Sequence, residues 1–342
     1  MKSIYILSPC RQVGGSGTEV LHLIDLFRKH EIEVYCVNGF GGDQDALKYC
    51  ESIGVHSMRW PERDWSFLKD KIVLAHGNPN FHICLPWIKA AKPAKILYIS
   101  PMWTPSTNEL VSINQGLIDE VIHVSNAQRA HHRVIYQQKG IKANVVEGYR
   151  PYINVHNTLQ NLKYQYKSPK EYCGIGMTAR PDPLKFHKDL WQGFRKIESP
   201  VAKKYYLNSF NGCVVPKTGP IPSDLEVKTY QPYEIKISEF LSSIHMIFQA
   251  SGEGESFGRF FLEAIASGVP CVLENTGQNA YSEIAVPGEH FVWANNPELM
   301  AVEASKVLSD NHTAFMALAA YNHLLKTWGN EDFCWEFWKD EI

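Results

Sequence analysis

The sequence predicts an α/β protein built as two similar parallel-sheet domains. Three observations predict it. Short apolar runs alternate with amphipathic segments from end to end, as strand–helix–strand units require. The 342 residues exceed the roughly 250 to 300 at which a single core stops growing. A polar, aromatic stretch of weak periodicity, RPYINVHNTLQNLKYQYKSPK, interrupts the pattern near the middle and reads as a linker.

Taken in order, strand-like runs fall near residues 3–8, 33–37, 72–75, 96–99, 121–124 and 143–146 in the first half. In the second half they fall near 172–176, 204–207, 227–230, 246–250, 270–273 and 290–293. A long helix is expected near 297–326, followed by WGNEDFCWEFWKDEI, whose Phe333, Trp335, Phe337 and Trp338 form an aromatic face expected to dock on the protein. The resulting division is a first domain over 1–150, a linker over 151–169, a second domain over 170–328, and a C-terminal helix over 329–342 that packs back on the first domain. Both domains are expected to be Rossmann-like and to face each other across a cleft, because ligands of such sheets bind beyond the carboxyl ends of the strands.

Composition narrows the class. Hydrophobic content of 44% and charged content of 20% are those of a soluble globular protein. No apolar run reaches the roughly 20 residues of a membrane span. The first run, IYIL, is too short for a signal peptide. The expected location is cytoplasmic, with contact at the inner membrane surface no more than peripheral. A net charge of −2 supplies no global basic field for nucleic acid, and RAHHR and KAAKPAK read as solvated faces. The eight cysteines include no CxxC pair and read as reduced, mostly buried thiols, with Cys10 near a glycine loop. No metal site is expected.

The most informative stretch is ESFGRFFLE. Phe260, Phe261, Ile265 and Val269 mark the buried stripe of a short helix that Gly268 and Pro270 end. Glu263 then lies inside that helix and Glu255 in the turn before it. Burying an unpaired carboxylate costs several kcal/mol, so both side chains need partners. A helix-start acid and a carboxylate paired with a neighbouring cation would also account for them.

Three loops after strands add to this pair. Gly14, Gly15 and Gly17 follow the first strand and precede a helix beginning near Thr18, where backbone N–H groups and the positive helix end can take an anion. The pattern is neither GxGxxG nor a P-loop, and a flexible first turn fits it equally. After YCGIGM, the loop TARPDPLKFHKDLWQGF carries Arg180 and Lys185. A guanidinium fork and an ammonium suit a diphosphate, and a plain surface loop is the alternative. After CVL, the loop ENTGQNAYSEI offers Gly277.

With these residues in place, the second half resembles the retaining glycosyltransferases of the GT-B fold, the large family 4 group that uses nucleotide-activated sugars. Arg180 and Lys185 stand at the spacing of that family's Gly-Arg and Lys-Gly pairs. ESFGRFFLEAIASGVP resembles its motif of Glu, seven residues, Glu, and Gly277 sits where its following Gly-Gly begins. In the first half, GGSGTEVLHL is similar to the family's Gly-Gly-Ala-Glu turn and HVSNAQRAHHRVIYQQKGI to its closing helix. The resemblance covers nearly the whole chain and is most specific around 246–290.

It implies a retaining, metal-independent hexosyltransferase without a cofactor. The donor would be a nucleoside diphosphate sugar, UDP-sugar favoured over GDP-sugar. Glu263 would hold the ribose hydroxyls and Glu255 would contact the donor sugar. Arg180 and Lys185 would neutralise the diphosphate, and amides near Gly14, Gly15, Phe257 and Gly258 would complete the pocket, with Tyr230 and Tyr233 near the base. The first domain would take the acceptor, with Trp103, Asn108, Arg129 and His131 along it. The acceptor itself, whether glycan, lipid, protein or modified nucleic acid, is left open, as are the sugar, the base and the oligomeric state.

Departures from the family pattern are specific. Ala179 and Phe186 replace the glycines beside Arg180 and Lys185, and Ser256 stands where Gly is usual. Many members place a His after the fourth strand to line the sugar site, where this chain has Ser100 and Pro101. His76, in AHGN, is the candidate substitute, a hydrogen-bonded structural His being the alternative.

Competing classes are a glycoside hydrolase using Glu255 and Glu263, a nucleotide-sugar epimerase, and a non-catalytic sugar-nucleotide binder. The first needs carboxyls roughly 5 to 10 Å apart and gives the cations no role. A metal-dependent transferase would rest on Asp43-Gln44-Asp45, a three-residue match in a natural loop.

Overall fold

Parallel sheets covered on both faces demand strands that are apolar on both sides. β1, Ser3–Leu7, meets that demand, with Ile4, Ile6 and Leu7 fully buried. The computed structural model describes residues 2–8, 10–11, 14–38, 44–61, 64–77, 79–232, 234–252, 254–310 and 312–342. Asp43 of the acidic triplet and Tyr233 lie outside the described residues.

Six further strands join β1: β2 (Glu33–Asn38), β3 (His56–Arg59), β4 (Ile72–His76), β5 (Lys95–Ser100), β6 (Glu120–His123) and β7 (Val145–Val146). Among the described residues they form a parallel sheet in the order β3-β2-β1-β4-β5-β6-β7. The strand order reverses between β1 and β4, which is where a doubly wound sheet opens a crevice for ligand. A second sheet contains β8 (Tyr172–Thr178), β9 (Ala202–Asn208), β10 (Val227–Tyr230), β11 (Met246–Gln249), β12 (Cys271–Glu274) and β13 (Val292–Ala294). Its order is β10-β9-β8-β11-β12-β13, again parallel, with the reversal between β8 and β11.

The chain divides into two units, Met1–Asn154 with Trp328–Ile342, and Val155–Thr327. The core of the first centres on Leu7, Val73, Ala75, Phe81 and Ile96, and that of the second on Ile175, Phe186, Phe194, Phe248 and Val272. The C-terminal helix Glu331–Trp338 belongs to the first unit. Fully buried Trp338 meets Phe27 edge-on at 5.0 Å and Tyr149 at 5.6 Å, and Trp335 stacks on His30 at 4.1 Å. The Arg150 guanidinium lies 4.1 Å from the Phe333 ring centroid and donates to the Phe333 carbonyl at 2.7 Å.

Three local expectations change. Strand β3 has no counterpart among the runs read from the sequence, because its residues are mostly exposed and carry no apolar pattern. Backbone pairing with β2 sets it, from Tyr35 opposite His56 to Asn38 opposite Arg59. The helix expected over 297–326 is two helices, Pro297–Ser309 and Thr313–Lys326. Asp310 breaks it by going extended and accepting the His312 N–H on its carboxylate at 2.8 Å. In the helix Arg259–Ala266, Phe260 is only half-buried, and Leu262 is fully buried instead. No described helix is long and apolar enough to cross a membrane.

Candidate functional site

The β8–β11 reversal organises the second unit's loops. Beyond β8, Asp182 accepts the Leu184 N–H on its side chain at 3.0 Å and the Lys185 N–H on its carbonyl at 2.9 Å, closing a short turn over Pro183–Lys185. Proline's fixed φ suits that turn. Phe186, where the resemblance leads one to expect glycine, is fully buried beside Phe210, so its side chain anchors the loop in the core. The His187 N–H then bonds to the Ala250 carbonyl at 2.9 Å, tying this loop to the end of β11.

Beyond β11 the chain returns towards the same place. The Glu255 N–H donates to the Gln278 carbonyl, and the Ala280 N–H donates to the Glu255 carbonyl, both at 3.1 Å. With its backbone so fixed, the Glu255 carboxylate lies 3.0 Å from Lys185 Nζ, which also donates to the Gly254 carbonyl at 3.3 Å. These side chains are 14% exposed for Lys185 and 19% for Glu255, sheltered enough to be ordered yet reachable by a ligand.

Gly258 closes the turn in the left-handed region, at φ 78°. A Cβ there would stand 2.7 Å from Tyr281 Cε1 and 3.3 Å from Glu255 Cγ, so close packing as well as φ demands glycine. The helix Arg259–Ala266 starts immediately after, with Glu263 buried in it and Phe257 buried just before it. Its far end is set where the Val269 N–H bonds back to the Ala264 carbonyl at 2.9 Å, ahead of Pro270.

The residues read from the sequence therefore fall into groups. Lys185 and Glu255 meet directly, and Gly258 packs beside Glu255. Arg180 is half-exposed on the Lys185 loop, 3.7 Å from Asp182. Gly277 lies on the loop after β12, its N–H bonded to Asn275 Oδ1 at 3.1 Å. Gly14, Gly15, His76 and Ser100 belong to the first unit.

There the loop after β1 and the ends of β4 and β5 carry them. Gly14 opens the helix Gly15–Lys29 and accepts the Thr18 N–H at 3.0 Å, and Ser8 Oγ donates to the His76 carbonyl at 2.9 Å. His76 and Ser100 are both buried, at the ends of β4 and β5. The Glu109 carboxylate accepts from Tyr98 Oη at 3.4 Å, and burial pushes that acid up to about 7. Trp103 stacks on His131 at 4.8 Å, and Gln128 Nε2 pins this loop by donating to the carbonyls of Ser100 at 2.9 Å and Met102 at 2.7 Å. Arg129 is 3.3 Å from Glu147, and Asn108 is exposed.

Cys10, Cys36 and Cys50 form a buried cluster with sulfurs within 4.8 Å of one another, close enough to share a soft metal ion. Hydrogen bonds to Cys10 and Cys50, together with burial, hold the Cys36 thiol well above its usual range, which favours protonated, packed thiols. The eight cysteines form no disulfide.

Two residues of the second unit escaped the sequence reading. Glu274, the last residue of β12, is buried and accepts the Gly252 N–H at 2.8 Å. His187 Nε2 approaches its other oxygen at 3.6 Å. An acidic residue closing an otherwise apolar strand, CVLE, was the available signal.

Comparison of the fold places this arrangement among known structures. The chain shares a fold with HepE of Anabaena in complex with UDP and glucose, at a TM-score of 0.71 and 15% identity over 100% of this chain and 99% of that one. It likewise resembles an alpha-glucosyltransferase in complex with UDP-glucose and DNA containing an abasic site, at 0.72 and 13%, over 100% and 99% of the two chains. A glycosyltransferase from Rickettsia africae matches at 0.68 and 14%, over 99% and 100%.

The fold is GT-B.

Two parallel α/β sheets of seven and six strands, matched over whole chains, are what the GT-B likeness consists of. No protein-family model matches the sequence, and no curated protein does.

Proposed function

We propose that this GT-B chain is a retaining glycosyltransferase that moves a sugar from a nucleoside diphosphate sugar, a UDP-sugar in the first instance, to an acceptor hydroxyl without a metal ion. The observation that carries the reading is the 3.0 Å contact between Lys185 and Glu255 beside the β8–β11 reversal. A cation and a carboxylate placed together at the ligand-binding end of a doubly wound sheet match the two halves of a sugar nucleotide. The ammonium suits a phosphate oxygen, and the carboxylate accepts from sugar hydroxyls. Each neutralises the other while the site is empty, so neither charge waits unpaired.

In this mechanism Lys185 and Arg180 bear the charge that grows on the leaving diphosphate as the sugar–phosphate bond breaks. Backbone N–H groups near Phe257 and Gly258 add donors at the start of the helix Arg259–Ala266. Glu263 holds the ribose. The acceptor oxygen attacks on the face that the diphosphate is leaving, and a departing phosphate oxygen takes its proton, which keeps the anomeric configuration without a protein nucleophile. HepE and the alpha-glucosyltransferase, which bind UDP or UDP-glucose, support UDP-glucose as the first donor to try.

Release of UDP from UDP-glucose, followed with and without EDTA and with the product's anomeric signals read by NMR, tests this reading. Retained configuration and activity in EDTA are expected. Inverted product, or activity that needs added Mn²⁺, would contradict it.

A further inference from the structure

Three loops leave β8, β11 and β12, which are neighbours in the second sheet, and a buried acid touches all three. Glu274 ends β12 at 4% exposure. Its Oε2 accepts the Gly252 N–H at 2.8 Å, on the β11 loop. Its Oε1 lies 3.6 Å from His187 Nε2, on the β8 loop. Its own carbonyl accepts from Asn279 Nδ2 at 2.8 Å, on the β12 loop.

The His187 ring has one tautomer open to it in its neutral form. Nδ1 accepts the Asp189 N–H at 3.0 Å, so the proton sits on Nε2, the atom that approaches Glu274. At 3.6 Å the contact is an attraction between a carboxylate and a polarised N–H rather than a full hydrogen bond. Gly252 makes the approach sterically feasible. It has φ 66°, and a Cβ there would lie 3.3 Å from His187 Cα and Cδ2.

Lys185 stands two residues before His187, and Glu255 three residues after Gly252. The Glu274 carboxylate thus bridges the segments that carry the two charged groups of the proposed site.

We infer that Glu274 and His187 are positioning residues, holding the Lys185 loop and the Glu255 loop at the separation from which both can reach one donor. Neither touches the donor itself. This deepens the reading of the site as a sugar-nucleotide pocket and rests on it. A carboxylate at a strand end buried only for packing would be costly to retain, since an isolated charge in that environment loses several kcal/mol of hydration. Here that cost is offset by the Gly252 N–H and the His187 ring, which lie on the two loops that have to be aligned.

The test uses the full chain and the variants Glu274→Gln, His187→Gln and the double variant. Titration calorimetry with UDP, thermal unfolding, and amide hydrogen exchange are measured on each. Glu274→Gln keeps an oxygen for the Gly252 N–H but removes the charge that faces His187. Each single variant is expected to weaken UDP binding by about tenfold, the scale of one charge-assisted contact, with the melting temperature nearly unchanged. The double variant should weaken it no further, because both substitutions cut one link. Exchange should quicken over residues 180–188 and 251–255 and stay unchanged in the strands.

UDP affinity within about twofold of the original chain in both single variants, or additive losses in the double variant, would overturn the inference. A native chain that binds no UDP would instead sink the donor reading. The exchange measurement needs no nucleotide and judges the loop linkage in either case: quicker exchange confined to the two loops supports it, and unchanged exchange overturns it.

Discussion

Lys185 and Glu255 are seventy residues apart in sequence and 3.0 Å apart in space, each supplied by a loop that leaves a neighbouring strand of the second sheet. Replacing the ammonium should therefore damage the chemistry more than the fold. Lys185→Ala is expected to lower sugar transfer by on the order of a hundredfold to a thousandfold, the usual loss when one stabiliser of a developing negative charge is removed. Steady-state turnover with UDP-glucose measures it. Turnover close to that of the native chain would remove Lys185 from the mechanism.

Gly258 is confined by φ and by Tyr281 at once. Gly258→Ala should cost roughly 2 kcal/mol or more, combining a left-handed backbone penalty with a methyl 2.7 Å from the tyrosine ring. The shift of the urea midpoint reports it. A neutral result would mean that the turn can relax without cost.

The first unit should lose stability in mild acid. Burial holds His82 and His132 down to about 4 and His123 to about 3, the last helped by the nearby His132. His123 Nε2 and His132 Nδ1 are 3.0 Å apart, so at most one proton lies between them. The unfolded chain takes up protons at these rings below about 6.5 while the folded chain resists, so their stabilisation is complete above that pH and drains away as pH falls towards 4. Glu109 works in the opposite sense. Its pKa is raised to about 7, so it favours the folded state below the ordinary carboxylate range, and this is lost as pH rises through 7. Between pH 6 and 5 the three histidines outweigh one glutamate, and the urea midpoint should fall. A midpoint that rises over that interval would contradict the assignment.

Trp338 is fully buried against Phe27 and Tyr149. Trp338→Ala should destabilise the first unit by about 3 to 5 kcal/mol. Denaturant unfolding followed by circular dichroism measures it, and a loss below about 1 kcal/mol would show that the C-terminal helix contributes little there.

What the sequence disclosed and what it hid divide along physical lines. Runs such as IYIL and CGIGM were legible because burial on both faces leaves an uninterrupted apolar signal. The helix Arg259–Ala266 was legible from its stripe and from its stop at Gly268 and Pro270. Strand β3 was not, because an exposed edge is held by backbone pairing that any side chain permits. Lys185 and Glu255 could each be chosen from motif spacing, but their contact depends on strand order, which no local pattern encodes. Glu274 and His187 were hidden for the same reason: each takes its meaning from a neighbour on another loop.

A structure of the chain determined with bound UDP decides whether the Lys185 and Glu263 side chains hold the nucleotide. The diphosphate is expected within about 3 Å of Lys185 Nζ, at ordinary hydrogen-bond distance, and the ribose hydroxyls on the Glu263 carboxylate. UDP bound elsewhere, with Lys185 still joined to Glu255 and no phosphate near either, would contradict it.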